Sequence, residues 1–71
     1  MYQPAAGDRI IVRRTPAKNG GSMIGTVLEI VTIEGVEHIH FQSDDYGRAY
    51  LGTNEQLAAI GYTQTIERLP S

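Results

Sequence analysis

The sequence predicts an all-β fold: one small closed barrel of five strands spanning residues 1–71, with a short helical turn before the last strand. Three observations predict it. Residues 25–33 form the longest apolar, β-branched run, which suits a pleated, half-buried surface better than a helix. Shorter runs on either side alternate with the two-residue period of a strand. Turn residues stand between the runs: Gly7 and Asp8, then Asn19, Gly20 and Gly21, then Glu34 and Gly35, then residues 43–47. Closing such a sheet removes its exposed edges.

Residues 1–6 read as a lead-in, because Pro4 has no N–H and pushes Gln3 toward an extended shape. The first strand covers 9–14. Ile10 and Val12 share the core face, while Arg9, Ile11 and Arg13 share the other. Residues 15–22 form a loop punctuated by Pro16, Asn19, Gly20 and Gly21. It is long for a hairpin connection in so small a domain, and loops of that length often carry function.

The central strand is 23–33. Thr26, Leu28, Ile30 and Thr32 lie on one face, and Val27, Glu29, Val31 and Ile33 on the other. Both faces carry apolar groups, so the strand is expected to switch faces at a bulge, and Gly25 suits a bulge or a sharp bend. After the turn at Glu34 and Gly35, residues 37–42 give the cleanest alternation: Ile39 and Phe41 inward, His38, His40 and Gln42 outward. Residues 43–47 turn again, and 48–52 form a short fourth strand. Thr53 or Asn54 can cap one or two helical turns over 53–61, with Leu57 and Ile60 on one side and Gly61 as the terminator. The last strand, 62–69, stops at Pro70.

Composition narrows the function classes. A 71-residue chain with 41 % hydrophobic residues can bury one modest core and is marginal without staples. There is no cysteine, so neither a disulfide framework nor a thiolate metal site is available. No apolar stretch approaches the roughly 20 residues that cross a bilayer, and no secretory leader is visible; the expected location is cytoplasmic. The net charge of −2 is unevenly spread. Residues 1–20 hold four bases and one acid, and residues 21–71 hold seven acids and two bases. A dedicated nucleic-acid binder is usually basic throughout.

Four groups of residues offer chemistry. His38 and His40 share a strand face near Asp44 and Asp45 and could begin a metal site, but no further ligands stand at motif spacing, so no metal or cofactor is expected. Asp44 and Asp45 could form an acid–base pair; before a glycine they read more simply as turn formers. With no activated Ser or Cys nucleophile and no phosphate loop, the chain is not expected to be an enzyme. Tyr46 and Tyr50, near Phe41, could stack on a ligand, although Phe41 and Tyr50 also fit the core. Tyr46 with Arg48 is the best small patch, since aromatics and Arg are enriched at binding hot spots. Arg9, Arg13, Arg14 and Lys18 form a basic patch, whose simpler role is cross-strand pairing with Glu29 or Glu37.

The stretch Ala6-Gly7-Asp8-Arg9-Ile10-Ile11-Val12 resembles the Gly-Asp-Arg-hydrophobic-x-Val opening of many SH3-like barrels, among them the KOW and Tudor-like groups. It also resembles the small actinobacterial domains of unknown function called DUF1918. Residues 24–30 look like that family's Gly-x-Ile-x-Glu-Val strand, and residues 40–51 like its Val-x-Trp-Asp-Asp-Gly-His-Glu-x-Leu segment. Phe41 stands in place of the Trp, and Tyr46 intrudes before Gly47. The likeness spans residues 5–53 and implies an SH3-like five-stranded barrel. From the Tudor-like side it implies an aromatic cage near the third and fourth strands. Fold alone does not transfer a function.

The expected function is a small non-enzymatic interaction module that binds a protein partner. The loop of residues 15–22 would act with the hairpin of residues 44–50, so the binding residues are Asp44, Asp45, Tyr46, Arg48, Tyr50 and Lys18. One alternative is a regulatory nucleic-acid contact through Arg9, Arg13, Arg14 and Lys18. Another is a structural subunit of a larger phage or enzyme assembly, with self-association as a related outcome.

Overall fold

The computed structural model describes residues 2–16 and 21–70. Five strands and one helix follow in the expected order: β1 (Arg9–Thr15), β2 (Ser22–Ile33), β3 (Val36–Ser43), β4 (Gly47–Leu51), α1 (Asn54–Ala59) and β5 (Thr63–Arg68). The strands form one antiparallel sheet in the order β4-β3-β2-β1-β5. The domain is all-β, and each element lies within two residues of its expected bounds. The first strand sits between the second and the last, which is consistent with an SH3-like fold.

β2 organises the sheet, pairing with β1 through its first half and with β3 along most of its length. Its face switch is real. Gly25 and Val27 lie opposite Ser43 and Phe41; the register then slips between Val27 and Glu29, after which Ile30 lies opposite Ile39. Leu28 is therefore the extra residue of a bulge. Odd positions face the core before it, and after it the even position Ile30 shares the face of Ile39. The bulge is not at Gly25, where pairing is regular. That glycine answers a different need: a Cβ there would lie 2.1 Å from the Gln42 carbonyl oxygen and 2.8 Å from the Phe41 ring. The missing side chain lets the ring lie against the β2 backbone.

The core draws on all five strands. Ile10, Val12, Val27, Phe41 and Leu51 form the buried cluster, with Tyr2, Met23, Ile39 and Ile66 packed around it. Ile10, Val12, Val27 and Phe41 are fully buried, and each contributes about 1.5–3 kcal/mol relative to exposure. In a domain this small no one of them is dispensable.

Three local features refine the expected picture. The lead-in is ordered onto the sheet: the Tyr2 hydroxyl donates to Asp8, the Ala5 N–H donates to the same carboxylate at 3.1 Å, and Gly7 N donates to the Val27 carbonyl at 2.8 Å. Burial, then the bond to Asp8, pushes the Tyr2 phenol up to about 12, and the same bond holds the Asp8 carboxyl below its ordinary value. Helix α1 starts with a capping box: Thr53 Oγ1 accepts from Gln56 N at 3.1 Å, and Gln56 Oε1 accepts from Thr53 N at 2.9 Å. Leu57 is buried as expected, but Ile60 is 68 % exposed. Ile60 is the C-cap residue with a non-helical backbone, so its side chain leaves the face that Leu57 occupies.

Candidate functional site

One end of the sheet holds a pocket of about 290 Å³. Pairing of Val12 with Met23 and of Arg13 with Ser22 brings the ends of β1 and β2 together there. Val12, Arg14, Ser22 and Met23 line the pocket, Pro16 and Gly21 flank it, Tyr46 arrives from the β3–β4 turn, and Tyr62 arrives from just before β5.

The turn that carries Tyr46 is pinned from below. Buried Ser43 accepts the N–H groups of Asp45 at 3.2 Å and Tyr46 at 3.1 Å through its hydroxyl. Gly47 takes the left-handed conformation that closes the turn, with φ +89°. Asp44 N donates to the Ile24 carbonyl at 2.9 Å. The Asp44 carboxylate receives both terminal nitrogens of Arg9, at 2.8 and 2.6 Å. That hydrogen-bonded pairing holds the Asp44 carboxyl below its ordinary value and raises the Arg9 guanidinium. Tyr46 itself is 68 % exposed, so a largely bare aromatic side chain stands on a backbone with little freedom.

The expected binding residues do not form one surface. Tyr46 lines the pocket, but β4 pairing sends Arg48 and Tyr50 to the outer face of the sheet, opposite Gln42 and His40. Arg48 Nε donates to Gln42 Oε1 at 3.0 Å. The Tyr50 ring stacks on His40, with centroids 4.5 Å apart, and His40 Nδ1 lies 3.2 Å from Glu29 Oε2. Tyr50 is not a core residue, being 55 % exposed, whereas Phe41 is buried. Asp44 is tied to Arg9, Asp45 lies in the turn, and Lys18 falls outside the described residues.

The basic residues are spread in the same way. Arg9 binds Asp44 and also donates to Thr26 Oγ1 at 3.1 Å. Arg13 meets Glu67 at 2.8 Å. Arg14, one residue on and so on the opposite face, donates from Nε to Gln64 Oε1 at 2.9 Å. Their partners are therefore Asp44, Glu67 and Gln64 rather than Glu29 or Glu37. Among the described residues no three His, Asp or Glu side chains gather in a metal-binding group; the His38 Nδ1 lies 3.0 Å from the Val36 carbonyl oxygen.

A second pocket, of about 440 Å³, opens at the opposite end. Ile30, Ile39, Leu51 and Ile66 form its apolar floor, and Gln3, Glu37, His38 and Asn54 stand among the polar groups around it. Buried Gln64 lies beside it and makes three bonds. It accepts from Arg14 and donates to the Gly52 carbonyl at 3.0 Å and to Asn54 Oδ1 at 3.1 Å. Gln64 thereby ties β5 to β1, to the end of β4 and to the start of α1. In the sequence it stood as one polar residue in a strand. Met23 and Tyr62 also escaped sequence reasoning as pocket residues, although Tyr62 directly follows the Gly61 turn.

Comparison with protein-family models, curated proteins and solved structures gave no match.

Proposed function

We propose that this domain is a non-enzymatic module that binds a protein partner through the pocket around Tyr46. One observation carries the reading: an exposed aromatic ring on a pinned turn stands over an apolar pocket. Proteins recognise peptide segments in this way, with a rigid aromatic anchor beside a small apolar cleft. The described lining joins Tyr46 and Tyr62 to Pro16 and Met23, and its charged member is Arg14. The pocket therefore suits an apolar side chain flanked by neutral or acidic groups. Arg48 and Tyr50 lie outside this reading, since they occupy another face.

The finer fold assignment is also a reading. One cluster fed by every strand supports a sheet coiled around its core as an SH3-like barrel. Among the described residues β4 and β5 are the sheet's two edges and are not paired with each other; the Gln64 amide bonds the Gly52 carbonyl just beyond β4. The likeness to DUF1918 rests on the sequence motifs alone. The nucleic-acid alternative gains no support, because Arg9, Arg13 and Arg14 each have a partner within the chain.

The test is a peptide-display selection on the purified domain, followed by titration of the selected peptides against the Tyr46→Ala variant. The variant should bind at least tenfold more weakly, about 1.4 kcal/mol, with an unchanged melting temperature because the ring is mostly exposed. Equal affinity of the two proteins for every selected peptide would overturn the proposal.

A further inference from the structure

The two edges of the sheet are managed differently. β5 is the guarded edge. Helix α1 packs against it, and Pro70 follows the strand. β4 has neither bulge nor proline, and its four residues from Gly47 to Tyr50 are exposed. Among the described residues the ladder ends beside it. An edge of this kind presents unpaired backbone groups and is a template for another strand. We infer that β4 is a self-association surface, where a second copy of this chain adds its own β4 antiparallel about a two-fold axis through Ala49.

The stacking of Tyr50 points to this occupant. One face of its ring lies on His40, at an interplanar angle of 18°. His40 belongs to β3, so the other face of the ring is turned away from β3, toward the place of a sixth strand. With the two-fold axis at Ala49, the residue directly opposite Tyr50 is Arg48 of the second copy, on the same outer face. A guanidinium beside an open aromatic face is a favourable cross-strand pair, and the symmetry forms it twice. Ala49 meets Ala49 of the second copy on the inner face, where the small side chains leave room for the backbones to approach. Gly47 meets Leu51.

Other registers fare worse. A one-residue slip turns the inner face of one copy outward. The two-residue slip that centres on Arg48 sets guanidinium against guanidinium, and the slip that centres on Tyr50 leaves Arg48 opposite Gly52. The Ala49 register alone pairs all five residues and sets each Arg48 opposite a Tyr50. Five pairs bury much less than the roughly 1,200 Å² of a standard stable interface, so the dimer is weak and its population depends on concentration.

Sedimentation equilibrium of the intact chain from about 10 μM to 1 mM, with amide hydrogen exchange at both limits, tests this. The mass should rise toward twice the 7.8 kDa of the monomer, with added protection confined to residues 47–51. Arg48→Glu and Tyr50→Lys should each weaken association at least tenfold. An equimolar mixture of these two variants should associate again, because the altered side chains then face one another as opposite charges while the untouched Arg48 and Tyr50 meet across the same axis. A wild-type monomer at 1 mM would overturn the inference. So would protection at β5, or variants that associate as well as wild type. A mixture that stays monomeric would overturn the Ala49 register and the self-pairing built on it.

Discussion

The two ends of the sheet use polar side chains in opposite ways. At the Tyr46 end, the Ser43 hydroxyl holds the turn backbone and Arg9 holds the Asp44 carboxylate, and the aromatic group they support is left bare. At the Gln64 end, the polar groups are themselves drawn inward, and their bonds join separate elements. Satisfying a buried amide completely fixes neighbouring strands at little net cost, but leaving any part of it unsatisfied is expensive. The first end is therefore built to present and the second to hold. Arg14 belongs to both, lining the pocket near Tyr46 while bonding Gln64.

The largest effect that would sharpen this contrast lies at the holding end. Gln64→Ala orphans the Arg14 Nε and the Gly52 carbonyl and should cost about 3 kcal/mol of stability, read as a lower midpoint in urea unfolding. A loss within 0.5 kcal/mol, the usual range of an ordinary surface change, would mean that Gln64 joins nothing. Thr53→Ala removes one half of the capping box and should cost about 1 kcal/mol. The same unfolding series measures it, and the loss should leave peptide affinity at the Tyr46 pocket unaltered.

The smallest stability effect is expected at the presenting end, where the Arg9–Asp44 pair is solvent-exposed and screened. Its signature is pH dependence. The Asp44 carboxyl is held below its ordinary value, so the folded state favours the ionised form. The stabilisation is full above the ordinary carboxylate value of about 3.9 and is lost as pH falls through the lower folded value. The melting-temperature difference between wild type and Asp44→Asn should therefore be constant from pH 7 to about 5 and close below about 4. A difference that widens in acid would assign the pair the wrong sign.

Much of the fold was legible because alternation reports burial directly. The two-residue period alone marks Ile10, Val12 and Phe41 as core, and all three are buried. The parity conflict in β2 demands a bulge, but its position at Leu28 rather than Gly25 is set by the register with β3, which the strand's own sequence does not contain. The site was less legible. Whether a residue lines the pocket depends on which strand ends converge, and Met23 and Tyr62 carry no local mark of that. Arg48 and Tyr50 look adjacent to Tyr46 in sequence, yet the turn at Gly47 separates them onto another face. Arg13 and Arg14 show the same limit, since neighbouring charges on a strand point to opposite sides.

β2 has one residue more than its partner strand requires, and the surplus sits at Leu28. Excising that residue would leave every other side chain of the strand on the side it now occupies. Excising any other residue between Leu28 and the hairpin tip would exchange inside for outside over the stretch between the cut and Leu28. The sheet thus carries its slack at a known address, a single link that can be taken up or let out without re-threading the rest.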